Sequence, residues 1–93
     1  MKREVTDKLS EARDFHDLTK AVLELCRPHG AVHALHFTHN RGSSRVACLI
    51  ELESQKQELA LARDLGARLN GSVCLDIPVN PHFAELSTMQ VSP

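Results

Sequence analysis

The stretch that decides the fold covers residues 22–52 and reads VLELCRPHGAVHALHFTHNRGSSRVACLIEL. It begins as the end of an amphipathic helix, which Gly30 terminates. AVHALHF (31–37) then alternates, HNRGSS (39–44) makes a short polar turn, and RVACLIEL (45–52) returns as a more apolar segment. The pattern predicts an antiparallel β-hairpin that follows directly on a helix.

The size and composition of the chain are those of a small globular domain. Its 93 residues, 42% of them hydrophobic, can bury one modest core. The only Phe, Tyr or Trp residues are three Phe, so Leu, Val, Ile and Ala must supply most of that core. A formal charge of −1 argues against a strongly basic nucleic-acid binder.

Cysteine usage and hydropathy indicate a reducing compartment. Cys26, Cys48 and Cys74 are odd in number and widely spaced, and each occupies an apolar position of its local pattern. This favours buried thiols over a disulfide framework. No apolar run reaches the roughly 18 residues of a membrane helix, and the charged N-terminal residues differ from a signal peptide. We therefore expect a cytoplasmic protein without membrane contact.

A long helix is predicted before the hairpin. From Leu9 through Ala12 and Phe15 onward, apolar residues recur at spacings of three and four, which predicts one amphipathic helix. Thr6 is its expected cap and it should end near Pro28, with Asp14 and Asp17 as an alternative start in the same stretch. A helix of about 20 residues spans roughly 30 Å, whereas a strand of about seven residues spans roughly 23 Å. The helix would overhang the sheet and leave its apolar front uncovered. We therefore expect a homodimer, with Leu9, Ala12 and Phe15 as the self-association candidates.

A second helix and a third strand are predicted after the hairpin. Ser54 and Gln57 match a capping box, and VCLDI at residues 73–77 alternates as a last strand. The order α-β-β-α-β, with two helices on one face of a small antiparallel sheet, is an α+β fold. The second helix is expected to bury Leu59, Ala62, Leu65 and Leu69 and to end at Asn70-Gly71. The predicted boundaries are a frayed N-terminus at 1–5, a single domain at 6–78 and a C-terminal tail at 79–93.

From residue 22 to residue 77 the chain resembles an RNA recognition motif (RRM), the β-α-β-β-α-β ferredoxin-like module. VLELCRPHGAV (22–32) keeps the register of the family's Leu-x-x-Leu-Phe-x-x-Phe-Gly-x-Val. RVACLIEL (45–52) resembles the family's Arg-Gly-Phe-Ala-Phe-Val-x-Phe. The family's first strand would fall at residues 8–14, where the spacing is helical, so we expect that strand to be absent. The implied fold is ferredoxin-like and RRM-like, truncated at its first strand.

The resemblance implies a non-enzymatic module that binds single-stranded RNA through its sheet face and the turn at 40–45. RRM proteins stack bases on aromatic residues of the central strands, and this chain has Ala47 and Leu49 at those positions. The RNA-binding candidates are Arg41, Arg45, His36, Ala47 and Leu49. Two alternatives stay open: a self-associating protein-interaction module that binds no nucleic acid, and a small-molecule sensor similar to ACT domains.

No motif in the sequence predicts catalysis, a cofactor or a metal. His33 and His36 are three residues apart, so a strand directs them to opposite faces. Zinc-type spacings of Cys and His are absent. Cys26 and Cys48 fall on core-facing positions, which argues against a reactive nucleophile. We therefore expect no enzymatic activity and no metal bound within one chain, and a metal site between chains that uses His33 or His36 stays open.

Overall fold

The computed structural model describes residues 1–40 and 42–83. In that part of the chain, three α-helices pack with a four-stranded antiparallel sheet in an α+β arrangement. The strands lie in the order β1-β2-β4-β3. The elements are α1 (Arg3–Ser10), α2 (Phe15–Cys26), a short 3-10 helix (Arg27–His29), β1 (Val32–Asn40), β2 (Arg45–Leu52), α3 (Gln55–Leu65), β3 (Arg68–Asn70) and β4 (Ser72–Pro78).

The single long helix expected before the hairpin is two helices. Asp14 is the N-cap of α2, and its side chain accepts a hydrogen bond from Asp17 N–H at 2.8 Å. The helix start at Asp14 is therefore confirmed. Because the chain turns between the helices, Leu9 is 0% exposed and Ala12 is 7% exposed in the chain's own core. The expectation of an overhanging rod with an uncovered apolar front is wrong.

The packed part of the chain is wider than the predicted domain of residues 6–78. α1 begins at Arg3, and Lys2 N–H donates to Leu65 O at 2.8 Å. At the other end, Val79 and Phe83 are 8% and 3% exposed and belong to the core cluster. The remainder of the predicted tail, residues 84–93, lies outside the described residues.

The predicted hairpin is confirmed, with one irregularity. β1 and β2 pair antiparallel from Asn40↔Arg45 onward, and the register shifts between Val32 and Ala34. This β-bulge places His33 on the exposed side, whereas Val32 packs against the core. Strict alternation would put His33 on the inward side with Leu35 and Phe37, but the one extra residue reverses the alternation at this point.

The second helix is shorter than predicted. Ser54 caps it by accepting from Gln57 N–H at 3.2 Å, as expected. α3 ends at Leu65, because Gly66 takes the left-handed conformation at φ 68°. Leu69 lies on the unpredicted strand β3 and is 43% exposed. Both the predicted helix end and the predicted burial of Leu59, which is 41% exposed, are wrong; the buried stripe is Glu58, Leu61, Ala62 and Leu65.

The element order repeats one unit, a helix followed by a β-hairpin. The first unit is α2-β1-β2 and the second is α3-β3-β4. Their second strands, β2 and β4, pair antiparallel at the centre of the sheet. Helical residues occupy positions 8–10, so the expected absence of a strand at 8–14 is confirmed. The two hairpins therefore build a sheet with β1 and β3 at its outer edges.

Candidate interaction surface

On one face of the sheet the side chains point away from the buried core, and we call it the open face. On β2, Val46, Cys48 and Ile50 are 0% exposed and lie in the core, whereas the residues between them are exposed. On β1, His36 and Thr38 are exposed on the same side as those residues. The open face is defined here by His36, Thr38, Arg45, Ala47, Leu49 and Asp76.

The structure brings four of the five RNA-binding candidates together on the open face. His36 lies opposite Leu49 on the neighbouring strand, and Arg45 and Ala47 precede Leu49 on β2. Leu49 is 42% exposed. The fifth candidate, Arg41, lies outside the described residues. His36 carries the only ring among these four side chains, so the surface has little area for stacking bases.

The charge of Arg45 is neutralised within the sheet. Its Nε donates to both carboxylate oxygens of Asp76 at 3.0 Å. A second carboxylate, that of Glu51, accepts from Ser72 Oγ at 3.4 Å. A phosphate that approaches Arg45 meets a guanidinium already paired with an anion, and it also meets the charge of Asp76. Sequence reasoning missed this pair because Arg45 and Asp76 are 31 residues apart.

The direction of the main-chain hydrogen bonds in β2 follows from one contact at its start. Val79 N–H donates to Ser44 O at 2.9 Å, on the side of β2 that faces β4. A trans peptide directs its C=O and N–H to opposite sides, so the N–H of Arg45 points towards β1. Arg45 faces Asn40 in the β1–β2 register, and this pair is therefore hydrogen-bonded.

The alternation of hydrogen-bonded and non-hydrogen-bonded pairs between β1 and β2 also determines which main-chain groups of β1 point away from the sheet. Hydrogen-bonded and non-hydrogen-bonded pairs alternate along an antiparallel ladder, so Thr38 and His36 also bond to β2. Leu35 and Phe37, on either side of His36, direct their N–H and C=O groups away from the sheet. No hydrogen bond from the described part of the chain reaches these outward groups. The β1 edge, defined by the main-chain groups of Leu35 and Phe37, therefore pairs with no other strand of the described residues.

Side-chain burial decreases from the centre of the sheet towards β1. The inward side chains of β2 and β4 are almost completely buried, and Ile50 and Ile77 are both 0% exposed. The inward side chains of β1, at Val32, Leu35 and Phe37, are only half-buried. Apolar area therefore remains accessible along the β1 edge.

Phe15, the third self-association candidate, lies in an aromatic cluster beside β1. Its ring centroid is 5.7 Å from that of Phe37 and 5.1 Å from that of Phe83, and His39 lies 5.3 Å from Phe83. Edge-to-face contacts at these distances are favourable. Phe15 is half-buried, whereas the other two candidates, Leu9 and Ala12, are buried in the chain's own core. No spacing in the sequence predicted that Phe83 would join this cluster.

The histidines do not gather into a metal site. His29 Nε2 donates to the Asp64 carboxylate at 3.0 Å, and this bond holds the pKa of Asp64 below its usual range. His33 and His36 are exposed on β1, and His39 packs against Phe83. Within residues 1–40 and 42–83, no three His, Cys, Asp or Glu side chains are arranged to hold a metal ion.

Two of the three thiols are buried, as predicted. Burial raises the pKa of Cys26 to about 11. Burial also raises the pKa of Cys48 to about 12, and the neighbouring thiols of Cys26 and Cys74 act in the same direction. Both groups are protonated at neutral pH. The prediction of burial is wrong for Cys74, which is half-buried beside the open face and donates to Ser72 O at 3.4 Å, because the alternation of β4 turns it away from the helices.

No helix in the described residues is long and apolar enough to cross a membrane. The chain matches no family model, and neither the curated proteins nor the solved structures include a significant match to it.

Proposed function

We propose that this chain is a non-enzymatic protein-interaction module that associates with a second copy of itself. The observation that carries the proposal is the incomplete cover of β1. Leu35 and Phe37 are half-buried, whereas Ile50 on the neighbouring strand is 0% exposed. Accessible apolar area next to unpaired main-chain groups is stabilised by a further protein surface.

The charge on the open face supports a protein partner over a nucleic acid. Arg45 is paired with Asp76, and Glu51 adds a second negative charge to the same face. Electrostatic attraction to phosphates supplies most of non-specific nucleic-acid affinity, and this face offers little of it. Leu49 and Ala47, which are exposed beside the ion pair, offer a nucleic acid neither a positive charge nor an aromatic ring.

The ferredoxin-like, RRM-like assignment is part of the same proposal. The order of elements from α2 to β2 supports it, whereas the helix in place of the family's first strand agrees only with the expected truncation. The extra strand β3 and the direct antiparallel pairing of β2 with β4 are features that the resemblance does not imply. We therefore place the chain near this fold class and assign no member family.

RNA binding is the second candidate function. It is favoured by one observation, the exposed imidazole of His36 on the open face, opposite Leu49. Imidazole rings can stack on unpaired bases. In this case the Arg45 guanidinium would have to exchange its carboxylate partner, Asp76, for a phosphate.

The molar mass in solution tests the proposed function. Multi-angle light scattering and sedimentation velocity over a wide protein concentration range should show a rise from monomer towards dimer mass. A monomer mass at every concentration would remove the self-association proposal.

Fluorescence anisotropy with a short single-stranded RNA at low ionic strength tests the second candidate. RNA binding predicts that Arg45→Ala weakens the affinity and that Asp76→Asn, which releases Arg45, strengthens it. Lys20→Ala is the control, because Lys20 is an exposed cation on α2. An unchanged anisotropy for the wild type, even at low salt, would eliminate RNA binding.

A further inference from the structure

We infer that the second copy docks edge to edge, so that β1 pairs antiparallel with β1 of the other copy and the two sheets become one. This inference rests on the proposed function, because it specifies where self-association takes place. Two identical strands that pair antiparallel are related by a twofold axis, so each copy contributes the same surface. The association then closes at a dimer.

The hydrogen-bonding geometry of the β1 edge fits such a pairing. Leu35 and Phe37 each present an N–H and a C=O to the outside, at alternating positions along the strand. An antiparallel strand takes up outward groups at this spacing. With nine residues, β1 is the longest strand in the described part of the chain, and it stands at the end of the sheet.

The absence of charged side chains from β1 favours a second copy of the chain as the partner that pairs with this edge. The strand VHALHFTHN (Val32–Asn40) contains no Asp, Glu, Lys, Arg or Pro. Edge strands that avoid association are protected by charged side chains, by proline or by short length. Because β1 has no formal charge when its histidines are neutral, two copies can face each other without like-charge repulsion.

The opposite edge of the sheet has the protection that β1 lacks. β3 is three residues long and begins with the exposed cation Arg68. Next to it, α1 packs against β4, and Lys2 N–H donates to Leu65 O. The β3 edge therefore offers little room for a further strand, and the β1 edge remains as the docking edge.

The open face itself is less suited to bury a second copy. Stacking two open faces would remove water from the Arg45–Asp76 pair and from Glu51. Desolvated charges destabilise an interface unless new partners replace the water. Edge pairing leaves these groups in solvent and still covers the half-buried side chains of Leu35 and Phe37.

A matched pair of double variants tests the edge directly. His36→Lys combined with Thr38→Lys puts two cations near the middle of β1. Ala47→Lys combined with Leu49→Lys puts the same cations on β2, at the residues directly opposite Thr38 and His36. All four positions are exposed on the open face. Each double variant is measured by sedimentation equilibrium next to the wild type, with circular dichroism to verify its fold.

We expect the β1 variant to lose at least tenfold in dimer affinity and the β2 variant to lose less than threefold, because lysines on paired β1 strands repel each other directly. A mixture of the β1 lysine variant with a His36→Glu/Thr38→Glu variant should recover the dimer mass that neither variant forms alone. This recovery excludes misfolding as the cause of the loss.

Two results would overturn the edge assignment and leave the proposed function standing. The first is a wild-type dimer that the β2 variant disrupts and the β1 variant preserves. The second is a mixture of lysine and glutamate variants that stays monomeric. A wild type that is monomeric at every concentration would overturn the proposed function together with the edge assignment, and would leave the β1 edge to another occupant, such as residues 84–93 of the same chain.

Discussion

The two helix–hairpin units of this domain have the same order of elements but very different outer strands. In the first unit, β1 has nine residues and no Asp, Glu, Lys or Arg. In the second unit, β3 has three residues, all exposed, and begins with Arg68. The inner strands, β2 and β4, are buried alike on their helix side. Buried side chains are therefore concentrated at the centre of the sheet, and among the described residues the first outer strand is the long, uncharged one for which we propose association.

The contrast between inner and outer strands should be measurable as free energy of unfolding. Ile50 on β2 is 0% exposed, so we expect Ile50→Ala to destabilise by about 2–5 kcal/mol. Leu35 on β1 is half-buried, and we expect Leu35→Ala to cost only about 1 kcal/mol. Urea denaturation of both variants at a concentration that keeps the protein monomeric measures the difference. Equal losses would show that β1 is as tightly packed as β2.

A buried carboxylate, that of Glu58, stabilises the contact between α3 of the second unit and the end of β2 in the first unit. Glu58 on α3 is 6% exposed and accepts a hydrogen bond from Leu52 N–H at 3.0 Å, at the end of β2. Glu58→Ala leaves that N–H without its partner, and we expect a loss of about 1–3 kcal/mol in urea denaturation. Glu53→Ala, at an exposed position, should change the stability by less than about 0.5 kcal/mol. Similar losses for the two variants would contradict a structural role for Glu58.

Alanine substitutions at two glycines of the second unit separate the cost of a left-handed backbone from the cost of steric crowding by neighbouring atoms. Gly66 and Gly71 both have positive φ, at 68° and 78°, so alanine at either should cost about 1–2 kcal/mol. A Cβ at Gly66 would also lie 3.0 Å from Lys2 N, whereas a Cβ at Gly71 would have no atom within 4 Å. We therefore expect Gly66→Ala to lower the thermal midpoint more than Gly71→Ala. The reverse order would mean that α1 does not pack closely at the end of α3.

The hydrogen bond between His29 and Asp64 also joins the two units. Because Asp64 is exposed, we expect this contact to contribute least to the free energy of unfolding. The hydrogen bond from His29 holds the pKa of Asp64 below its usual range, so the folded state binds that proton less readily than the unfolded chain does. The bond therefore contributes stability at neutral pH, and this contribution is lost as the pH falls below about 4. Thermal denaturation as a function of pH should show a small acid-dependent difference between wild type and Asp64→Asn. Parallel curves would mean that solvent screens the pair completely.

Most of the first unit could be predicted from the sequence because its signals are local. Alternation and a polar turn predicted the hairpin, and the cap at Asp14 is a short-range hydrogen bond. The cap at Ser54, which starts the second unit, is equally local. The break between α1 and α2 was not predicted, because Ala12 and Phe15 keep helical spacing across it. The strand β3 was not predicted because its three residues are all exposed and show no alternation.

The candidate interaction surface was harder to predict because its main contacts join residues that are far apart in the sequence. The sequence placed His36, Ala47 and Leu49 on one face correctly. It could not reveal that Asp76 neutralises Arg45, since that ion pair depends on the pairing of β2 with β4. The turn that buries Leu9 likewise depends on tertiary packing, so Leu9 and Ala12 belong to the chain's own core, and we propose β1 as the association surface instead.

Amide hydrogen exchange at Leu35 and Phe37 as a function of protein concentration tests the role of the β1 edge most directly. Their N–H groups point outward, whereas that of Thr38 bonds to β2 and serves as an internal reference. We predict that the outward amides are protected at concentrations where the dimer forms and exchange rapidly after dilution, while Thr38 stays protected throughout. Exchange rates at Leu35 and Phe37 that do not change with concentration would contradict edge pairing.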